Sequence, residues 1–485
     1  MSGNGQRSEA PPSPAAWRDV LRGKHAVYTL ILNLGIGLHA IDVFVVSTIM
    51  PAVVREIGGA AFYAWPTMLY MVASIVGAAC GGPVRAALGS RRGYVAAAAA
   101  FLAGSAGCGL AFDMPSLLAA RFVQGLGGGL IIALSLVLVR ELYDATLRTR
   151  ALSTISTTWG VAALAGPMIG GLFSEIGWWR GAFLFAVPIV ITFALVAWRA
   201  LPPGSRAEAR LRDIPFRRLA LLGAGVLCLA SAGNVAGAGA RVALVLAAVA
   251  LVLGAFRLDA RAATRLFPSR ALSLGTAVGT ANWMFFLYSF THSPLGVFTP
   301  LVAQVLHGAS PLVAGYINAM MAVAWTVAAL ATASLRGRAV RIVVGLGPIF
   351  LAIAVAGQAW FAVSGPFLAF VVSVTAMGLG IGVSHVHVVT GTMAAARAGE
   401  EAVTTASIST IRTLGVAFGA AFAGLVANAA GGLDEGVSPA TVAAGATWIY
   451  WIMVLAPATI AVLAVRLLAR HRAEAVPGPL AGGGS

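Results

Sequence analysis

Fourteen long apolar stretches, separated by short charged segments, constrain this chain more than any other feature of its sequence. A helix needs about 20 apolar residues to cross the hydrocarbon core of a bilayer. Charged residues make up only 10% of the chain, against about 25% in a soluble domain. The sequence therefore predicts an all-α polytopic membrane protein. The predicted spans are Ala26–Val54, Trp65–Gly82, Gly93–Phe112, Pro115–Val139, Ala151–Phe173, Ala182–Trp198, Leu219–Ala238, Val242–Phe256, Leu272–Leu306, Pro311–Leu335, Val340–Val363, Pro366–Ala394, Ala402–Ala427 and Trp448–Leu468.

The positive charges predict the orientation of these spans. With the N-terminus inside, twenty-seven of the 32 lysines and arginines fall in cytoplasmic segments, and only Arg55, Arg180 and Arg241 lie on the opposite face. Cytoplasmic loops are enriched in Lys and Arg, so both termini are predicted to be cytoplasmic. Contact with anionic lipid then accounts for the net charge of +16, and nucleic acid is not predicted as a partner. The near absence of lysine beside abundant arginine, Ala and Gly is typical of a GC-rich bacterium, whose inner membrane is the predicted location.

The spans are grouped as six, two and six, which suggests two bundles with an inserted pair. Transporters are often built from such repeats, with the binding site between them. Pro294 and Pro300 predict a bend or break in the ninth span. The predicted divisions are a disordered cytoplasmic tail at 1–24, a six-helix bundle at 25–200, connectors at 201–218 and 257–271 around an inserted helix pair at 219–256, a second six-helix bundle at 272–470 and a tail at 471–485.

One carboxylate, that of Asp42, lies near the middle of the first span. An ionisable side chain at this depth costs about 2.5–3.5 kcal/mol, so a functional role is the default interpretation. Arg121 in the fourth span is the natural partner, because an intramembrane arginine must face a cavity or an acid. A carboxylate that gains and loses a cationic partner can carry a proton. We predict proton coupling at Asp42 and Arg121, with a permanent structural ion pair as the alternative.

Small residues surround these charges in the fourth and fifth spans. Glycines let membrane helices approach closely, and proline interrupts a helix. Such residues often serve packing alone, but their combination with two intramembrane charges is more specific. The residues of these two motifs are Gln124, Gly125, Gly166, Pro167, Gly170 and Gly171.

These stretches resemble the signatures of the major facilitator superfamily, in particular its fourteen-span drug/proton antiporters. Ile41–Pro51 resembles the first-helix signature, with Phe44 and Ser47 where the family usually has Thr and Asn. The fourth span contains the family's Arg-x-x-Gln-Gly, and the fifth contains its Gly-Pro-x-x-Gly-Gly. The resemblance implies two six-helix bundles plus an inserted helix pair, and exchange of a drug for protons by alternating access.

The loop between the second and third spans departs from the family pattern. The family usually has Gly-x-Leu-Ala-Asp-x-x-Gly-Arg-Arg, and here Ala86 stands in place of the acid. In the family that acid helps to hold the bundles together on the cytoplasmic side, so the contact must be altered or compensated here. The motif residues that are retained and that we assign a conformational role are Gly82, Gly89, Arg91 and Arg92.

The second six-span bundle supplies candidate residues for a substrate cavity. His292 lies beside Pro294 and is the best candidate for a pore-facing group. His385 and His387 are two residues apart, about 200° around a helix, and so do not chelate a metal together. The cysteines lack ligand spacing, and neither a metal nor another cofactor is predicted. The predicted cavity residues are Trp283, Tyr288, His292, Tyr316 and Asn318.

The sequence thus predicts a secondary active transporter, acting as a monomer, that exports a lipophilic small molecule in exchange for protons. A single cavity acid permits a cationic substrate, while a neutral or zwitterionic compound fits equally well. A uniporter or proton symporter for a metabolite is the alternative on the same fold. A membrane sensor or enzyme is a further alternative, although the spans lack the clustered nucleophiles, acids or metal ligands that an enzyme needs.

Overall fold

The computed structural model describes residues 17–204 and 214–475, and this part of the chain is helical, without β-strands. Its helices are α1 Trp17–Val20, α2 Gly23–Ile57, α3 Trp65–Gly109, α4 Met114–Leu142, α5 Ala145–Glu175, α6 Gly181–Leu184, α7 Ala186–Ala200, α8 Phe216–Ser231, α9 Ala238–Ala260, α10 Ala277–Val305, α11 Pro311–Thr332, α12 Arg338–Ser364, α13 Phe367–Ala394, α14 Glu401–Gly431, α15 Pro439–Met453 and α16 Leu455–Ala475.

The described helices account for the fourteen predicted spans. Eleven stretches of the described residues are long and apolar enough to cross a membrane. The one that contains α3 holds two spans, because Gly89 adopts φ 78° and ψ 167° and breaks the helix. A Cβ at Gly89 would lie 2.4 Å from the carbonyl oxygen of Pro203. Helices α8 and α10 supply the remaining two of the fourteen spans. The predicted all-α polytopic fold is confirmed.

Several boundaries differ from the prediction. The predicted disordered tail includes the helical residues Trp17–Val20 and the start of α2. Residues 1–16, 205–213 and 476–485 lie outside the described residues, so the predicted tails and first connector are described only in part. The exact divisions between the bundles remain predictions.

The ninth and fourteenth spans begin at positions that their capping residues determine. Pro294 and Pro300 do not break α10, which runs without interruption after turns at 272–276. The Thr276 hydroxyl caps it by accepting a hydrogen bond from the Gly279 amide at 3.1 Å. The last span begins earlier than predicted, at α15, because Ser438 and Thr441 form a capping box. These capping side chains accept hydrogen bonds from the free backbone amides at the starts of the two helices. The apolar pattern alone does not predict where those starts lie.

Helices α2 to α7 pack with one another, as do α10 to α16, and α8 and α9 form a pair beside them. Helix α8 contacts α3 of the first bundle and α14 of the second. The bundles meet through α5 and α11, through α3 and α14, and through α2 with α10 and α11. The inserted pair therefore lies against both bundles.

Close contacts between the bundles lie near the ends opposite the chain termini, on the face predicted to be exoplasmic. The rings of Tyr63 and Phe298 are 5.2 Å apart. The Asn428 side chain donates a hydrogen bond to the Ala61 carbonyl at 2.9 Å. A Cβ at Gly171 would lie 2.6 Å from the Leu312 Cα. The bundles are therefore closed against each other on this face.

Candidate functional site

Glycines bring α3 and α4 into backbone contact and so set the position of Arg121. A Cβ at Gly125 would lie 2.4 Å from the carbonyl oxygen of Tyr70, and one at Gly129 would lie 2.0 Å from that of Ser74. No side chain fits in these gaps. The two helices can pack at this distance only because these positions are glycine.

The start of α4 is fixed by a capping box at the exoplasmic end. The Asp113 carboxylate accepts a hydrogen bond from the Ser116 amide at 2.8 Å, and the Ser116 hydroxyl accepts one from the Asp113 amide at 3.2 Å. The hydrogen bonds from Ser116 lower the pKa of the Asp113 carboxyl. Arg121 lies about two turns further along the helix.

A buried cluster joins α2 to α4. Arg121 Nη1 lies 2.6 Å from Asp42 Oδ2, and Gln124 Nε2 donates to Asp42 Oδ1 at 2.9 Å. Arg121 also donates through Nε to the Pro66 carbonyl at 3.2 Å, and Gln124 Nε2 to the Ser105 hydroxyl at 3.0 Å. The side chain of Arg121 is 1% exposed and that of Asp42 is 8% exposed. The structure thus brings together three of the predicted motif residues, with both carboxylate oxygens occupied.

Two aromatic residues that the sequence reasoning missed support this cluster. Arg121 Cζ lies 4.2 Å from the centroid of the Tyr70 ring, a distance at which a cation and a π-system attract. A hydrogen bond of 2.6 Å joins the Tyr70 hydroxyl to His39 Nδ1. His39 is a polar residue three positions before Asp42 and hence on nearly the same helix face. The three-residue spacing from Asp42 was the sequence signal that could have identified His39.

The motif of the fifth predicted span packs α5 against two helices. A Cβ at Gly166 would lie 2.6 Å from the Phe44 Cβ, and one at Gly170 would lie 3.0 Å from the Val45 carbonyl oxygen. Gly171 and Pro167 instead face α11, through Leu312 and Gly315. The motif therefore connects the helix that carries Asp42 with the exoplasmic contact between the bundles.

The four retained residues of the loop motif do not form one site. A Cβ at Gly82 would have no described atom within 4 Å, and Arg92 is exposed. Gly89 provides the break in α3. Arg91 donates through Nε to the Leu201 carbonyl at 2.6 Å. This hydrogen bond ties the break to the end of α7.

Glu141 of α4 supplies the acidic contact near Ala86. Its carboxylate forms an ion pair with Arg85 and accepts a hydrogen bond of 2.7 Å from the Ser90 hydroxyl. All of these residues belong to the first bundle. These contacts hold the loop to α4 of the same bundle, and they do not link the two bundles.

Three of the predicted cavity residues use their polar groups for helix packing. The Trp283 indole donates to the Leu272 carbonyl at 3.0 Å, and the Asn318 side chain donates to the Gly296 carbonyl at 2.7 Å. The Tyr288 hydroxyl shares a hydrogen bond of 2.7 Å with Ser384. These contacts lie at different levels of the second bundle, so the three side chains do not converge on one point.

His292 and Tyr316 differ from those three. Tyr316 is half-buried. The His292 ring lies 5.8 Å from the Trp325 ring, which in turn lies 5.4 Å from that of His385. His385 and His387 are both buried, and neither Nε2 has a hydrogen-bond partner within the described chain. Trp325 and His385 were not among the predicted site residues.

An all-helical polytopic fold of two contacting bundles with a buried charge pair in one of them is typical of membrane transporters. The sequence profile of the Major Facilitator Superfamily matches residues 32–420. The chain belongs to this superfamily, as its motifs predict. It is a multi-pass membrane transporter for small molecules and not an enzyme.

The relatives agree with this assignment, and a solved structure agrees with the fold. A probable multidrug-efflux transporter of Mycobacterium tuberculosis is 30% identical over 440 residues, which cover 88% of this chain and 92% of the relative. Multidrug resistance protein 3 of Bacillus subtilis is 27% identical over 59% of this chain and 56% of its own length. The xylose transporter XylE of E. coli, in a partially occluded inward open conformation, is similar in fold at 16% identity with a TM-score of 0.59. That match covers 93% of this chain and 99% of the other.

Proposed function

We propose that this protein exports lipophilic small molecules from the cytoplasm in exchange for protons. The observation that carries the proposal is the buried cluster of Asp42, Arg121 and Gln124, in which an acid lies beside a cation at membrane depth. The relationship to a protein named as a probable multidrug-efflux transporter supports the direction of transport. We further propose that it acts as a monomer in the cytoplasmic membrane of a bacterium.

In the proposed cycle, Asp42 is the group that binds the transported proton. Protonation of Asp42 neutralises the carboxylate and weakens its ion pair with Arg121. Arg121 retains its hydrogen bond to the Pro66 carbonyl, so the guanidinium stays in place while its partner changes. Return of the proton to the cytoplasm restores the ion pair. The membrane potential supplies about 2.3 kcal/mol for each charge that crosses 100 mV.

The test replaces the carboxyl by an amide of the same shape. In inverted vesicles with an imposed proton gradient, Asp42→Asn is expected to reduce proton-driven accumulation of an effluxed dye at least tenfold. Asp113→Asn is the matched control, because it changes an acid outside the buried cluster, at the start of α4, and asparagine also caps a helix. Full proton-driven transport by Asp42→Asn would overturn the proposed coupling.

The sign of the gradient separates exchange from symport. Exchange predicts dye accumulation in inverted vesicles whose interior is acidic. Accumulation only with the opposite gradient would indicate a symporter, and transport unaffected by either gradient would indicate a uniporter. A wild-type protein that moves no substrate under any gradient would contradict the transport proposal itself.

A further inference from the structure

The second bundle contains a half-buried arginine within a membrane-spanning helix, and its environment differs from that of Arg121. Arg412 lies on α14, about four residues before the midpoint of the helix and so about 6 Å from its centre. Within the described chain its side chain has neither a hydrogen bond nor an ion pair, and it faces the Trp325 ring, whose centroid lies 5.9 Å from Cζ. Arg121, by contrast, is held by an acid, an amide and a backbone carbonyl.

The helices around Arg412 provide no acid at its level. Helices α10, α11 and α13 contain no Asp or Glu. Helix α14 contains only Glu401, eleven residues before Arg412 and so about 16 Å along the helix axis. These helices therefore supply no acid to pair with Arg412, whereas a charged side chain within a membrane-spanning segment usually faces a partner or a water-filled cavity.

Rings from three other helices gather around the arginine. Trp325 of α11 lies at the centre, with His292 of α10 and His385 of α13 within 6 Å of its ring centroid. His385 is 9% exposed, and its Nε2 atom has no hydrogen-bond partner in the described chain. Arg412 itself is partly exposed. The cluster thus offers a guanidinium, an unused imidazole nitrogen and an aromatic surface.

We infer that Arg412, Trp325, His292 and His385 bind a carboxylate group of the transported compound, whose aromatic or apolar body packs against the rings. A guanidinium presents paired N–H groups that match a carboxylate, and the imidazole nitrogen can complete the site by donating a hydrogen bond. This inference rests on the proposed function in that the bound compound is the exported substrate. It narrows the substrate to amphipathic acids or zwitterions.

The test measures binding rather than transport, so that it is independent of proton coupling. Equilibrium binding of radiolabelled naphthoate and of naphthamide, its neutral amide, is measured on the full chain in lipid nanodiscs, with empty nanodiscs subtracted. The wild-type protein and Asp42→Asn are both expected to bind the acid at least tenfold more tightly than the amide. Arg412→Gln is expected to lose that preference, and Arg412→Lys to retain part of it.

The controls separate loss of the site from loss of the fold. Arg241→Gln changes an arginine at the start of α9, away from both clusters, and should leave the preference unchanged. His385→Phe keeps an aromatic ring but removes the free nitrogen, and should weaken acid binding while amide binding stays the same. Equal affinity of the wild type for acid and amide, or no saturable binding of the acid, would overturn the inference. An unchanged preference in Arg412→Gln would overturn it as well.

Discussion

At the scale of single residues, Tyr70 contacts two polar side chains, those of Arg121 and His39, that are buried at membrane depth. Its ring lies against the Arg121 guanidinium, and its hydroxyl is hydrogen-bonded to His39. The ring helps to hold a charge, while the hydroxyl satisfies a neutral side chain. The two contributions can therefore be separated by substitution.

Tyr70→Phe is expected to lower stability without abolishing transport. The change removes one hydrogen bond and leaves His39 Nδ1 without its partner, which costs about 1–3 kcal/mol. Tyr70→Leu also removes the ring that contacts Arg121, and we expect it to reduce proton-driven efflux about tenfold. Thermal unfolding in detergent and efflux from vesicles measure the two effects. Equal efflux by Phe and Leu variants would show that the ring has no role at Arg121.

The pairing of Asp42 with Arg121 could be predicted, because two opposite charges in a largely apolar chain have few other partners. The contacts of Arg121 with Pro66 and Tyr70 could not be predicted, since they depend on how α3 is aligned with α4. The glycines of α4 indicate a close approach, but they do not specify which residues of α3 they face. The proximity of Arg412 and His385 could not be predicted for the same reason. The two residues lie on different helices, and no spacing in the sequence relates them.

At the scale of helices, the contact between α3 and α4 depends on glycines that cannot be enlarged. We expect Gly129→Ala to destabilise the protein by about 1–3 kcal/mol, because the new methyl group would lie 2.0 Å from the Ser74 carbonyl oxygen. Separation of the two helices should also move Arg121 away from Pro66. The measurements are the unfolding temperature in detergent and proton-driven efflux.

Gly160→Ala is the matched control for that substitution. Gly160 also lies within a helix, but nothing lies within 4 Å of its Cβ position. Alanine there is expected to be neutral or slightly stabilising, because glycine costs about 0.5–1 kcal/mol in a helix. A similar loss of stability in both variants would mean that the α3–α4 gap is not the cause.

The existence of the helices could be predicted from hydropathy, while their ends could not. Helix α9 is regular over 23 residues, longer than the stretch predicted from apolar residues alone. The start of α10 depends on the turns at 272–276 and on the Thr276 cap, which lie inside the predicted apolar span. Length and hydropathy report burial in lipid, and they say little about where a backbone turns.

At the scale of the whole molecule, we expect the exoplasmic contact between the bundles to open during transport. A Cβ at Gly424 of α14 would lie 3.5 Å from the Ala64 Cβ of the first bundle, a separation that suits a disulfide. In a chain whose three cysteines are replaced, Ala64→Cys with Gly424→Cys is expected to slow transport at least tenfold on oxidation. Reduction should restore it.

A cross-link within one bundle provides the control. A Cβ at Gly445 would lie 3.8 Å from the Ala427 Cβ, and both positions belong to the second bundle. Oxidation of Ala427→Cys with Gly445→Cys should leave transport intact, because the bundle moves as one body. Continued transport by the oxidised Ala64–Gly424 pair, with the disulfide verified by mass spectrometry, would mean that this face does not open.

The position of the inserted pair has a mechanical consequence. Helix α8 lies against α3 of one bundle and α14 of the other, and only 11% of the apolar stretch of α9 is buried. If the bundles rock in the proposed transport cycle, α8 must slide along at least one of them, and α9 must displace the lipid beside it. The lateral pressure of the bilayer would oppose this displacement of lipid. We therefore expect stiffer or thicker membranes to slow transport even at a constant proton gradient.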